Sequence, residues 1–171
     1  MRMNFEEEHE LDLVEDLFDY LDIDGPDKEQ MYTLYGIFKK DMIEEPIFIN
    51  LVQVGYNSKK SKHPLFRGKP EGFEHICTRE SKHSGKRHFD PERTNKIHWI
   101  KTVINHRQDP RVKYFERIHY KGQNQQYYWL KDKDYVVIIR EITVKLQLVT
   151  AFKVDELNRN NFKRWYEDYH K

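Results

Sequence analysis

The stretch that decides the fold is YVVIIREITVKLQLVTAF, residues 135–152. Both of its halves, 135–141 and 144–152, are rich in β-branched and aromatic residues, which predicts two strands. In the second half, every other side chain belongs to one mainly apolar set: Val144, Leu146, Leu148, Thr150 and Phe152. Successive side chains of a strand point to opposite faces, so we expect this whole set on one face of a sheet.

Alternating patterns outside this stretch predict further strands. Residues 112–120 and 127–130 predict two strands around the turn sequence GQNQ, and residues 47–56 predict an earlier one. After the sheet, Asp155 is a typical N-cap residue and begins a last helix. The apolar positions of this C-terminal helix are Leu157, Phe162, Trp165 and Tyr169.

The first part of the chain predicts helices instead. In residues 6–22 apolar side chains recur at intervals of three and four, and a second helix is expected over 27–44 after a Gly-Pro break. We interpret residues 1–46 as an acidic helical segment and residues 47–171 as a separate domain. The predicted fold class is α+β: an N-terminal helical hairpin, then a mostly antiparallel β-sheet packed against a basic amphipathic helix, and a C-terminal helix.

Charge is distributed unevenly along the chain. Residues 1–50 contain 15 acidic and 4 basic residues, whereas residues 51–171 contain 14 acidic and 26 basic ones. This asymmetry indicates a nucleic-acid surface or a charge-paired lid. The alternative is that the charged side chains of each half only keep the surface of that half hydrated. The lone cysteine, Cys77, and the lack of a signal-peptide pattern or a long apolar run lead us to expect a cytoplasmic protein without a membrane segment.

Residues suited to chemistry are concentrated in FEHICTRESKHSGKRHFDPERTNKIHWIKTVI, residues 73–104. This stretch holds four histidines and seven Lys or Arg side chains against four acidic ones. Metal-free RNA cleavage requires a base for the 2′-hydroxyl, an acid for the leaving 5′-oxygen and cations for the phosphate. Histidine, with a reference pKa of about 6.5, serves both proton roles, and Arg and Lys serve the phosphate.

The second half of this stretch predicts an amphipathic helix over 90–105. Asp90 is the expected N-cap, Pro91 the first helical residue, and Glu92 an acid in the first turn. The apolar face consists of Ile97, Ile100, Val103 and Ile104, with Trp99 at its margin. The far, polar side consists of Thr94, His98, Lys101 and Asn105, with Arg93 and Lys96 flanking it.

Each of these residues also has an ordinary explanation. His75 can be structural, His83 and His88 can be solvated loop residues, and His98 can be exposed on its helix. Only their clustering with other cations favours function. Tyr127–Trp129 can stack on bases, although an aromatic strand more often belongs to a core. The sequence contains no zinc, calcium, P-loop or dinucleotide pattern, so we expect neither a metal nor a cofactor.

The order of these segments resembles the barnase–EndoU–colicin–RelE superfamily of nucleases, and more narrowly its phage-associated branch. The resemblance covers residues 73–154. It is carried by HI at 75–76, KRHFDPERTNKIHWIKTVI at 86–104, DPRVKYFERIHY at 109–120, YYWLKDKDYVVIIRE at 127–141 and LVTAF at 148–152. Members of this superfamily are small metal-independent endoribonucleases that act as toxins or in phage–host conflict.

The resemblance implies specific site residues. The proton-transfer histidine falls on His75 or His88, the helix-borne cation on Arg93, and the strand-borne hydroxyl on Thr150. The surplus of histidines leaves the general base open. The cations expected around the phosphate are Arg79, Lys82, Arg87, Lys96 and Arg140.

These observations give one leading hypothesis and two rivals. The leading hypothesis is an endoribonuclease whose cleft lies between the 90–105 helix and the sheet face holding Thr150, and whose product is a 2′,3′-cyclic phosphate. The first rival is a nucleic-acid-binding module without catalysis. The second is a phage or mobile-element protein that binds a host factor through its acidic helices. The expected partners are RNA and an inhibitor, antitoxin or host protein.

Overall fold

The computed structural model describes residues 10–171, and its N-terminal part differs from the predicted helix over 6–22. Residues before 10 lie outside the described part, and after one 3₁₀ turn at Glu10–Asp12 the chain is non-helical up to Asp27. We call residues 13–26 the acidic strap. The backbone N–H of Phe18 donates to Asn95 Oδ1 at 2.7 Å, and Asn95 Nδ2 donates back to the Phe18 carbonyl at 3.0 Å. The strap thus bonds to another segment instead of forming its own helical turns, so the helix prediction is wrong for residues 13–22.

The predicted helix over 27–44 is confirmed. Helix α1 spans Lys28–Lys39 and continues as a π-helical turn at Lys40–Glu44. Asp27 and Gln30 form a capping box at its start, which satisfies two backbone N–H groups that the helix leaves unpaired. The predicted helical hairpin is therefore one helix preceded by an extended strap.

A mostly antiparallel six-stranded sheet follows. Its strands are β1 (Phe48–Ile49), β2 (Val52–Gly55), β5 (Val112–Ile118), β6 (Asn124–Leu130), β7 (Tyr135–Ile142) and β8 (Lys145–Lys153). Their order across the sheet is β1-β2-β8-β7-β6-β5. A separate hairpin consists of β3 (Thr78–Glu80) and β4 (Arg87–Phe89). The single strand predicted over 47–56 is two strands, because Asn50 and Leu51 adopt left-handed conformations and turn the chain.

A β-bulge changes the predicted face pattern of β8. Leu148 pairs with Ile139 and Thr150 with Ile138, which leaves Val149 as an extra residue. Neighbouring residues of β7 point to opposite faces, so Leu148 and Thr150 lie on opposite faces as well. The prediction that all five side chains share one face is therefore wrong beyond Leu148. The bulge turns the side chain of Thr150 to the opposite face.

Short helices cover one face of the sheet, which we call the first face. They are α2 (Glu71–Cys77), α3 (Pro91–Thr94) and α4 (Trp99–Asn105). The helix predicted over 90–105 is thus two helices, although Asp90 caps the start as expected and accepts from the Arg93 N–H at 3.1 Å. Thr94, predicted on the polar side, is fully buried, and its hydroxyl bonds to the Asp90 carbonyl at 2.8 Å.

The opposite, second face is covered by the predicted C-terminal helix, α5 (Glu156–Tyr169). Phe162 of α5 is buried there among aromatic side chains of β5 and β6. On the first face, Leu11 and Phe38 are buried in the same cluster as Phe73 and Ile104, so apolar side chains from both sides of residue 46 share one core. The division into two domains stays a prediction. None of the helices in residues 10–171 is both long and apolar enough to cross a membrane.

Candidate functional site

A cleft of about 1080 Å³ lies beside strand β8. In the described part of the chain, β2 pairs with β8 at Leu146 and Gln147, and the residues after the bulge face α3 and the β3–β4 hairpin instead. We call this space the histidine cleft. The predicted site residues that line it are His75, Arg79, Lys82, Arg87, His88, Arg93 and Thr150. The fold therefore brings together seven residues that are separated by up to 75 positions in the sequence.

Two arginines form the floor of the cleft. Arg87 Nη2 and Arg93 Nη1 both donate to the carbonyl oxygen of Thr78, at 3.0 and 3.1 Å. Burial lowers the pKa of both guanidinium groups, and for Arg93 the nearby charge of Arg87 lowers it further. An arginine nonetheless stays protonated at neutral pH. Two positive charges are thus held side by side at one carbonyl, an arrangement that attracts an anion.

Local structure fixes these two arginines on the same side. Arg87 opens strand β4, its Nε donates to Thr78 Oγ1 on the paired strand at 2.8 Å, and β4 leads directly into Asp90, the N-cap of α3. Arg93 lies in that first helical turn, with its Nε 3.6 Å from Asp90 Oδ2. A hairpin, a cap and one helical turn therefore set both guanidinium positions without a long loop.

Strand β8 contributes Thr150 to the same floor. The hydroxyl oxygen of Thr150 accepts from Arg93 Nη1 at 3.4 Å. The Arg93 guanidinium also lies over the ring of Phe152, 4.8 Å from its centroid. The guanidinium is thus held between a carbonyl, a hydroxyl and an aromatic ring, which restricts its orientation.

His75 is the histidine with the most defined surroundings. Its Nε2 lies 3.2 Å from Glu74 Oε2, while Nδ1 has no hydrogen-bond partner among residues 10–171. Glu74 is buried and also accepts from Ser61 Oγ at 2.7 Å. Burial is the main cause that lowers the pKa of His75, and Arg87 adds to it while Glu74 opposes it. The imidazole is therefore neutral at pH 7 and can accept a proton.

The sequence prediction missed His63, which also lines the cleft. Its Nε2 lies 3.1 Å from the Arg87 carbonyl, and its Nδ1 accepts from the Leu65 N–H at 3.2 Å. Both ring nitrogens are thus occupied: Nε2 joins the loop at 61–66 to strand β4, and Nδ1 holds the loop itself. In the sequence, only its place in a basic, Pro-containing loop sets this histidine apart, and that signal is too general to select it.

The rim of the cleft belongs to the β3–β4 hairpin. His83 and His88 are exposed there, and neither imidazole has a hydrogen-bond or ion-pair partner in the described residues. Arg79 and Lys82 are also exposed and unpaired within the same range. The rim therefore offers cations and imidazoles that an incoming ligand can contact without breaking existing bonds.

Acidic side chains offset much of this positive charge. Asp24 of the strap and Glu80 of the hairpin line the cleft together with four Arg and Lys side chains, and Glu74 and Asp90 contact Arg87 and Arg93. Among residues 10–171, the cleft cations without a carboxylate partner are Arg79 and Lys82 at the rim.

The structure places two predicted phosphate contacts outside the cleft. Lys96 is 8% exposed, and its Nζ bonds to Asp16 Oδ1 at 2.8 Å, so it holds the acidic strap. Arg140 lies on β7 opposite Gln125, and its buried Nε has no hydrogen-bond partner in residues 10–171. Neither side chain lines the cleft. The aromatic run at 127–129 is buried in the two cores, as an ordinary strand would be.

Other reactive groups add little to the site. Cys77 is fully buried, and burial raises the pKa of its thiol to about 12, so it is not a thiolate nucleophile. Residues 10–171 contain no group of three His, Cys, Asp or Glu side chains arranged to hold a metal ion. Comparisons with protein-family models, curated proteins and solved structures gave no match.

Proposed function

We propose that this protein is a metal-independent endoribonuclease and that it belongs to the barnase–EndoU–colicin–RelE superfamily. The observation that carries the proposal is the pair of guanidinium groups on the Thr78 carbonyl, with Thr150 and His75 at the same cleft. Phosphate is an anion that a pair of arginines recognises well, and an adjacent imidazole supplies proton transfer. RNA carries both the phosphate and the internal nucleophile that such a site needs.

In the proposed reaction, Arg87 and Arg93 stabilise the negative charge that develops on the phosphate. His75, neutral because of its burial, takes the proton of the 2′-hydroxyl as the 2′-oxygen bonds to phosphorus. The bond from phosphorus to the 5′-oxygen then breaks, and His88 donates a proton to that oxygen. The products are a 2′,3′-cyclic phosphate end and a free 5′-hydroxyl. Thr150 positions Arg93 through its hydroxyl.

The test is cleavage of a fluorescent single-stranded RNA by the purified protein in EDTA. We expect product with a 2′,3′-cyclic phosphate, and a loss of rate of about 10²- to 10³-fold in Arg93→Ala, as found when a preorganised transition-state donor is removed. Arg164→Ala is the matched control, because Arg164 is exposed on α5 and does not line the cleft. Equal activity of the two variants, or a strict divalent-metal requirement, contradicts the proposal.

A second candidate function is nucleic-acid binding without cleavage. It is favoured by the fact that Arg87 and Arg93 already contact carboxylates, with Arg87 Nε 3.8 Å from Glu74 Oε2 and Arg93 Nε 3.6 Å from Asp90 Oδ2. Part of their charge is therefore offset before a ligand arrives. This function predicts an affinity for RNA that falls steeply with salt while the RNA stays intact. A cytoplasmic location and an inhibitor or host-protein partner remain part of the proposal under either function.

A further inference from the structure

A second concavity, of about 1100 Å³, adjoins the histidine cleft. It lies between the first turns of α1 and the loop around residues 65–69, and we call it the tyrosine groove. Leu65 lines both the cleft and the groove and forms the ridge between them. A ligand that is long enough can therefore cross the ridge and occupy both spaces.

The strap passes closely over this ridge. Gly25 of the strap has φ of +134°, and a Cβ built on it would lie 3.1 Å from both methyl carbons of Leu65. Asp24 lines the cleft on one side of this glycine and Pro26 lines the groove on the other. Gly25 and Leu65 together therefore separate the two spaces, and a ligand that occupies both must pass over the strap.

The charge of the groove suits a polyanion. Its cations are Lys28, Lys39, Arg67 and Lys69, and its acids are Asp27 and Glu29. The Asp27 carboxylate is already engaged in the N-cap of α1, where it accepts from the Gln30 N–H at 2.8 Å. None of the four cations forms an ion pair within residues 10–171. They are therefore available to phosphate groups.

The groove also presents aromatic surface. Tyr32 is 82% exposed, and its side chain has no hydrogen bond, ion pair or ring contact in the described residues. Tyr35 lies deeper, with its ring centroid 5.2 Å from that of Phe73, and the ammonium groups of Lys39 and Lys69 lie 5.0 and 5.6 Å from its centroid. Proteins that bind single-stranded nucleic acid without sequence preference use such aromatic rings to stack on bases and nearby cations to contact the phosphates.

We propose that the tyrosine groove binds nucleotides of the same single-stranded RNA whose phosphodiester occupies the histidine cleft. A base stacks on Tyr32, and phosphates contact Lys39, Arg67 and Lys69. This inference rests on the proposed function for its assignment to RNA. The groove thus makes affinity depend on RNA length, and the cleft alone contacts the reacting phosphate.

The experiment measures binding by fluorescence anisotropy, using oligodeoxynucleotides that lack the 2′-hydroxyl and so cannot be cleaved by its attack. Oligomers of about two and about twelve nucleotides are compared, the longer one within the known site sizes of single-strand-binding folds. We expect Tyr32→Ala to weaken binding of the longer oligomer about tenfold, and to leave the shorter one unchanged. Tyr32→Phe keeps the ring and should bind like the unchanged protein. Tyr120→Ala is the matched control, since Tyr120 is 84% exposed on the β5–β6 turn and does not line the groove.

The outcomes separate this inference from the proposed function. Cleavage of RNA in EDTA together with unchanged binding by Tyr32→Ala overturns the groove assignment and leaves the nuclease proposal intact. Length-dependent binding that needs Tyr32, without any cleavage, supports the groove and overturns the nuclease. If polyglutamate of similar length competes equally well and with the same dependence on Tyr32, the groove binds acidic chains in general and the nucleic-acid assignment fails.

Discussion

The two faces of the sheet are covered in different ways. On the second face, one 14-residue helix, α5, packs an aromatic cluster of Phe115, Tyr127, Trp129 and Phe162. On the first face, three short helices, a hairpin and the acidic strap meet, and they are joined by buried polar contacts such as Ser61–Glu74 and Lys96–Asp16. The histidine cleft opens between these elements and the edge of β8 beyond its pairing with β2, where the bulge turns Thr150 away from the first face.

The comparison shows why the site lies where it does. A single amphipathic helix on a sheet closes its interface with apolar side chains and leaves few polar groups to bind a ligand. Several short elements have many ends, and the backbone N–H and C=O groups at these ends lack partners within the element. Side chains must supply the missing hydrogen bonds. Thr78 illustrates this, because its carbonyl oxygen, at the junction of α2 and β3, accepts hydrogen bonds from both Arg87 and Arg93.

The largest effect is expected from Phe162→Ala on the second face. Phe162 is 4% exposed, and its ring centroid lies 5.7 Å from that of Phe115 and 5.6 Å from that of Trp129. The cavity should lower the free energy of unfolding by about 3–5 kcal/mol, measured by urea titration. Leu157→Ala, on the same helix and 89% exposed, should change it by less than about 0.5 kcal/mol. A small loss in Phe162→Ala would mean that the second face is not a packed core.

The two faces also differ in how well the sequence predicts them. Strands β5 to β8 and helix α5 follow from alternation and from the Asp155 cap, because their stability comes from local patterns that repeat over many residues. The bulge at Val149 could not be predicted, since it depends on pairing with β7. It matters for function, because it turns Thr150 away from the face of Leu148.

The first face was predicted less well because distant contacts override local propensity there. The strap has a helical pattern, yet Asn95 takes its backbone hydrogen bonds. Lys96 has the pattern of a phosphate-binding side chain, yet Asp16 of the strap pairs with it. By contrast, Arg87 was selected as a cation of the basic stretch at 73–104 and Arg93 through the resemblance, and the hairpin and cap bring both to the cleft.

An intermediate effect is expected when the strap loses its charged contact. In Lys96→Ala, the bond to Asp16 and the packing on the Trp99 ring, 5.3 Å from Lys96 Nζ, are both lost. We expect the free energy of unfolding to fall by about 1.5–3 kcal/mol, the range for hydrogen bonds to charged groups, and proteolysis within the strap to accelerate. Lys163→Ala on the exposed side of α5 is the control. If the free energy of unfolding falls equally little in both variants, apolar contacts alone hold the strap. The first face is then stabilised by apolar packing, as the second face is.

The smallest effect expected is a change in how stability depends on pH. The pKa of His75 is lowered by burial and by the charge of Arg87, whereas in the unfolded chain it is near its ordinary value of about 6.5. Below that value the unfolded chain binds the proton more readily than the folded protein, so stability falls as pH drops from about 6.5 towards the lowered pKa. His75→Gln should therefore show a shallower loss of stability between about pH 7.5 and 5.5 than the unchanged protein. Burial also lowers the pKa of His98, so part of the slope should persist. An identical slope in the variant would show that His75 is protonated as easily in the cleft as in the unfolded chain, and it would remove the physical reason for assigning it the role of base.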